Sequence, residues 1–199
     1  MENKSKENVK EQMIQEAIKL FVRKSFKGTR IQDITDAVGV TKGAFYWHFK
    51  SKAELLDTII DEYERVNVDH VFFQLEQTPG NFIQKYKLFH KITTEFAYEN
   101  RELCIGFMAL AAELTGSETT HEQKIISVYT KLRLFLKGLI EQGKRDGCVR
   151  SDVDSEMIAH FINAINNGML LEWYMFQDDI NGPMLAKTYR QIAVQGISA

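Results

Sequence analysis

Apolar residues recur along this chain at the three- and four-residue spacing of α-helices, and no stretch shows the strict alternation of a half-buried strand. The pattern predicts nine helices and an all-α fold. The first runs from about Lys6 to Lys24, with Ile14, Ala17, Ile18, Phe21 and Val22 on one face, and Gly28 stops the chain after it. Thr29 with Gln32 has capping-box spacing and opens a short second helix that buries Ile31, Ile34 and Val38 and ends at Gly39. Thr41 caps a third, in which Phe45 and Phe49 share the inner face. Ser51 and Glu54 cap a long fourth helix that reaches about Thr78 and carries Ile59, Tyr63, Val66 and His70 on one stripe. Breaks at Pro79-Gly80, Gly116-Ser117, the link 143–153 and Asn181-Gly-Pro183 separate five more helices.

The third helix is unusual on its outer side. There it shows Lys42, Ala44, Tyr46, Trp47 and His48, and large aromatics facing solvent on so short a helix need a partner. Two short helices joined at Gly39 make a helix-turn-helix. Gly43 and Ala44 leave the backbone free to approach the floor of a major groove, and Lys42 can reach guanine edges or a phosphate. Tyr46, Trp47 and His48 can clamp phosphates beside the groove. Thr29, Thr41 and Lys52 lie at helix N-termini, where N–H groups and the helix dipole favour a phosphate. Arg30 and Gln32 are candidates of the same kind and equally suit a solvated surface.

Charge sharpens this picture. Residues 1–52 hold 11 Lys and Arg against 6 Asp and Glu, a net +5, and the remainder of the chain carries −7. A basic first quarter on an acidic body fits a polyanion partner for that quarter alone and suits chance clustering equally; beside a helix-turn-helix the polyanion would be double-stranded DNA.

The stretch Thr29, Ile34, Ala37, Gly39-Val-Thr-Lys-Gly43, Phe45-Tyr46, Phe49, Ser51-Lys52 and Leu55 resembles the TetR family of bacterial helix-turn-helix transcriptional regulators. The likeness covers about the first 60 residues; beyond them only helix count and break positions are similar. It implies an N-terminal three-helix DNA-binding domain, here 7–67, and a C-terminal helical bundle, 68–199, for ligand binding and dimerisation. It further implies a homodimeric repressor that grips a palindromic operator and lets go when a small molecule enters the C-terminal domain. The family's contact positions fall on Thr29, Thr41, Lys42, Ala44, Tyr46, Trp47, His48 and Lys52, although Trp47 is larger than the residue often found there.

The eighth predicted helix has two apolar faces. Ile158, Ile162, Ile165, Met169, Trp173 and Phe176 form one; Met157, Phe161, Ala164, Gly168 and Leu171 form another, roughly 100° away. One face is expected against its own subunit and the second against a symmetry mate, so that helices 8 and 9 build the homodimer interface. An apolar or aromatic effector is expected in the space enclosed by helices 4 to 8. Its wall would be Phe73, Phe82, Tyr86, Phe89, Phe107, Met108, Tyr129, Phe161 and Trp173, with His70, Glu113, Asn163 and Asn167 as polar candidates. Each of these suits a packed core or a satisfied polar group as well.

Other classes find little support. There is no phosphate-binding glycine loop and no supported nucleophile triad near Ser117 and His121. Glu118 and His121 have the spacing of a carboxylate-bridged metal site, but it needs a second copy. Cys104 and Cys148 stand far apart without a His or Cys cluster. The expectation is therefore no enzyme, no metal and no cofactor. The opening Met1-Glu-Asn-Lys-Ser-Lys-Glu7 leads into no apolar leader, and the most apolar stretch, Cys104 to Ala112, is far short of a membrane span. A cytoplasmic protein without a membrane partner is expected. The main rival is a helical ligand-binding or protein-interaction module that never touches an operator.

Overall fold

Met13, Ile14, Ala17, Ile18 and Phe21 fall on one face at helical spacing, and all five are buried on helix α1 (Glu2–Lys24). The computed structural model describes residues 2–199, with side chains from Asn8 onward. Among the described residues it holds ten α-helices, one π-helical segment and a single isolated antiparallel bridge between Val149 and Ser198.

The turn after α1 differs from expectation. Ser25, not Gly28, takes the left-handed conformation (φ 66°). Gly28 is needed for another reason: a Cβ there would lie 2.1 Å from the Lys24 carbonyl oxygen. Helix α2 (Ile31–Val38) begins one residue later than the spacing suggested. Arg30 is its N-cap residue, and the Asp33 carboxylate accepts the Arg30 N–H at 2.7 Å. Gly39, at φ 75°, ends it in a left-handed cap. Helix α3 (Lys42–His48) is capped by Thr41, whose hydroxyl oxygen accepts the Ala44 N–H at 3.3 Å.

Helix α4 (Lys52–Tyr63) runs on through a π-helical segment (Glu64–Asp69) into α5 (His70–Gln77). The π turn holds an extra residue, so everything after it slips by about 100° relative to an unbroken α-helix. Buried positions pass from Ile59 and Ile60 to Val68, Val71 and Leu75, and His70 is turned outward instead of inward. The Lys131 ammonium holds both ends of the segment, 2.6 Å from Glu64 and 2.5 Å from Asp69. Residues five apart share a face in a π turn, so one cation can serve both carboxylates.

Helices α6 (Phe82–Glu99), α7 (Arg101–Leu114), α8 (Thr120–Arg145), α9 (Ser155–Met175) and α10 (Gly182–Ile197) complete the chain. Asn81, Asp154 and Asn181 cap α6, α9 and α10 through their side chains. Helix α8 runs through Gly143 to Arg145, so the polar link is shorter than the sequence suggested.

The chain divides into two compact units: Met1–Tyr63 with Glu102–Ile126, and Glu64–Arg101 with Ser127–Ala199. This differs from a single cut at 67/68, because α7 packs with the N-terminal helices. Gly106 of α7 lies against α1, where an added Cβ would stand 2.6 Å from Ile18 Cγ2. Tyr63 stacks on Phe107 with ring centroids 3.8 Å apart. The second unit is built around Val71, Leu75, Phe82, Tyr86, Phe89, Leu136, Ile140, Ala159 and Ile162. Among the described residues no helix is long and apolar enough to cross a membrane.

Candidate nucleic-acid interface

Phe45 and Phe49 seat α3 in the first unit; both are buried, with ring centroids 5.5 Å apart. Anchoring that face fixes the opposite one outward. Thr41, Lys42 and Gly43 are exposed, and Ala44 is half-buried. Tyr46 is 55% exposed and Trp47 65%. Large rings rarely stand this far into solvent, so the side turned away from the core is fitted for a partner. Tyr46 meets the edge of Phe45 at 5.6 Å, and Trp47 meets His48 at 4.5 Å, which stiffens the aromatic end of the helix. His48 is half-buried, and its imidazole is held below the usual histidine range, first by burial and then by the positive charge of Lys10.

Arg30 and Gln32 are exposed at the start of α2, and Gln32 donates to Asp36 at 2.5 Å. Two sequence candidates are placed otherwise. Thr29 is buried and donates its hydroxyl to the Ser25 carbonyl at 2.7 Å. Its side chain is a lock for the turn, because the helix is capped at Arg30 rather than at Thr29. Lys52 points its ammonium into the protein, donating to the Phe26 carbonyl at 2.6 Å and the Thr29 carbonyl at 2.7 Å over the Phe26 ring. Burial is the largest influence on this amine and lowers its proton affinity, against the opposing charges of Glu113 and Asp33.

Glu113 also departs from its expected place beside a ligand. Its carboxylate accepts the N–H groups of Phe26 and Lys27, at 2.6 and 2.8 Å. One turn therefore has its N–H groups taken by Glu113 from α7 and its carbonyls taken by Lys52 from α4. Sequence spacing gave no signal for this clamp, since Glu113 lies 87 residues from Phe26. His121, the weak metal candidate, pairs with Asp57 at 3.6 Å.

The remaining effector candidates are distributed over both units. His70 is exposed, Phe73 is 58% exposed and Phe161 is 52% exposed. The π slip accounts for His70, and Phe161 belongs to the outer face of α9. Phe107 is buried in the first unit, whereas Tyr86 and Phe89 are buried in the second, stacked with Phe82. Met108 and Tyr129 are half-buried. Trp173, half-buried, stacks on Tyr98 at 5.9 Å with the Arg101 guanidinium 5.8 Å from its ring. Asn163 and Asn167 are half-buried on α9, and the Asn163 amide oxygen is buried without a partner.

A polar group unremarked in the sequence lies between α6 and α10. His90 is buried with its Nε2 unpartnered, against the edges of Tyr86 and Tyr189 at 4.6 and 5.2 Å. Burial, with a smaller part from Arg190, pushes its imidazole down to about 4. The Tyr86 and Tyr189 hydroxyls are 3.3 Å apart. The signal available was the place of His90 four residues after Tyr86, on the buried face of α6.

Residues 13–59 match the model for bacterial regulatory proteins of the tetR family. The chain is 24% identical over 185 residues to the HTH-type transcriptional repressor KstR2 of Rhodococcus jostii (strain RHA1), covering 92% of this chain and 88% of that protein. Its fold is similar to the crystal structure of the MbdR regulator from Azoarcus sp. CIB, with TM-score 0.86, 24% identity and coverage of 94% and 98% of the two chains. It is similar also to the transcriptional regulator FadR from Bacillus subtilis in complex with stearoyl-CoA, with TM-score 0.75, 19% identity and coverage of 94% and 98%.

Proposed function

We infer that the chain is a bacterial transcriptional regulator of the TetR family, and from that reading how it reads DNA and how it is released. It is a DNA-binding transcriptional regulator and not an enzyme. Regulators of this family bind DNA operators and small-molecule effectors as dimers. The present protein acts as a repressor on a palindromic operator.

The observation that carries the reading is the solvent exposure of Lys42, Gly43 and Tyr46 on the outer side of α3, above its buried Phe45 and Phe49. Lys42, Gly43 and Ala44 face the base edges, and Thr41, Tyr46, Trp47 and His48 grip the flanking phosphates. Arg30 and Gln32 stand at the margin of the same surface. Thr29 and Lys52 act one step back, fixing the turn that sets the angle of α2.

Helices α9 and α10 form the homodimer interface. Support comes from α9, where Met157, Phe161, Ala164, Gly168 and Leu171 are all exposed while Ile162 on the other face is buried. Met184 and Ile192 of α10 are exposed as well. An apolar stripe of this length implies a covering partner, and two-fold pairing sets two α3 helices for successive major grooves about 34–36 Å apart. Phe161→Glu places two carboxylates across that axis. Analytical ultracentrifugation is expected to show a monomer, and gel shifts a loss of palindromic operator binding. A Phe161→Glu protein that remains dimeric would overturn this assignment of the interface.

The effector is apolar or aromatic and is received by the second unit. The aromatic core of that unit supports this, as does the stearoyl-CoA bound to the B. subtilis FadR. His90, the Tyr86–Tyr189 pair and Asn163 supply the polar atoms there, in place of His70 and Glu113. The effector releases DNA by preferring the state whose α3 spacing does not match the operator, since only differential affinity shifts such an equilibrium.

A further inference from the structure

Lys10 is exposed on α1, three residues before the buried run that begins at Met13, and no carboxylate among the described residues pairs with it. Its ammonium stands 5.8 Å from the centroid of Phe49, the residue that follows α3. Its charge is also the one that acts on His48. Two helices therefore bring a lysine and a histidine to one edge of the reading surface. We propose that Lys10 of α1 and His48 of α3 form a single phosphate-binding pair, which holds one DNA backbone phosphate at the C-terminal edge of the recognition helix. The pair rests on the DNA-reading role given above and adds a first-helix contact to it.

The electrostatics around His48 favour an incoming anion. From α1 it faces Lys10, and on its own helix the rings of Trp47 and Phe49 lie at 4.5 and 6.3 Å. The acids of neighbouring elements are engaged elsewhere: Asp33 with Lys24 and the Arg30 N–H, Asp36 with Gln32, and Glu54 with the Lys50 N–H. Without DNA, burial and Lys10 both disfavour the charged imidazole. A phosphate brings the missing negative charge and raises its proton affinity. DNA binding then takes up a proton between the free and the bound titration ranges. The sign follows: affinity strengthens as pH falls through that window and weakens as pH rises.

The test uses the full chain and two labelled duplexes, one carrying a palindrome selected from random DNA and one of random sequence. Fluorescence anisotropy is measured against salt at fixed pH, and against pH from about 5.5 to 8 at fixed salt. A phosphate contact carries no sequence information, so Lys10→Gln is expected to lower the salt slope by about 1 per subunit on both duplexes. The accompanying loss of affinity is on the order of tenfold per subunit at 0.1 M salt. Lys10→Arg is expected to retain the slope. His48→Gln is expected to flatten the pH dependence, and Lys87→Gln on α6 to behave as wild type. A wild-type salt slope in Lys10→Gln, or an unchanged pH dependence in His48→Gln, would overturn the pair while leaving the DNA-reading role in place. A wild-type protein that binds neither duplex would overturn that role itself.

Discussion

Ala44→Glu is expected to fold normally and to lose operator DNA. Position 44 is the third residue of α3 after its Thr41 cap, and the cap already receives the Ala44 N–H. A glutamate at this place completes a capping box and sits at the positive end of the helix dipole, so helix stability is kept or slightly raised. On DNA the same carboxylate points at the groove floor between two phosphate backbones. Like charges forced together cost several kcal/mol, which is a loss of at least about 10²-fold in each half-site. Circular dichroism should give wild-type melting, and anisotropy should give no saturable binding to the operator. The two readouts separate a damaged reading surface from a damaged fold.

Glu113→Ala carries the largest expected effect on stability. The carboxylate accepts two backbone N–H groups at 2.6 and 2.8 Å, in the turn that joins α1 to the helix-turn-helix. Removing it leaves the partly buried Phe26 N–H without an acceptor and strips Lys52 of one of the negative charges near it. Hydrogen bonds to a charged group contribute about 1.5–3 kcal/mol each, and the Lys27 bond is exposed, so the combined loss is about 2–3 kcal/mol. For a chain of this length that corresponds to a fall of roughly 5–10 °C in Tm. Differential scanning calorimetry checks it. Glu113→Gln, which keeps an acceptor oxygen without the charge, should fall between wild type and alanine.

The helix-turn-helix was legible in the sequence because its determinants are local. Thr41 caps three residues away, Gly39 turns the chain by its own conformation, and Phe45 with Phe49 fixes the inner face through one turn. The cap of α2 was read one residue early, since Thr29 and Arg30 both precede an acceptor at the right spacing and only the fold of the turn buries Thr29. The two faces of α9 were legible as far as Trp173, because periodicity alone separates them, whereas Phe176, expected on the inner face, is the C-cap and is exposed. What periodicity cannot contain is a slip in the period. The π turn at Glu64–Asp69 is held by Lys131, 67 and 62 residues downstream, and it rotated His70 out of the stripe where the spacing placed it. Long-range polar contacts were equally hidden. Glu113 read as a lone acid in an apolar run, and His90 as one more polar residue, until the backbone of a distant turn and the ring of Tyr189 came alongside them.

The central claim is that the outer side of α3 enters the major groove as one of a matched pair. Dimethyl sulfate protection of guanine N7 tests it most directly, because that atom lies on the major-groove floor. On a selected palindrome the wild-type protein is expected to protect two groups of guanines centred 10–10.5 base pairs apart or a multiple of that spacing, and Ala44→Glu to protect none. Saturated DNA with every N7 still reactive, or a single unpaired patch of protection, would contradict the account.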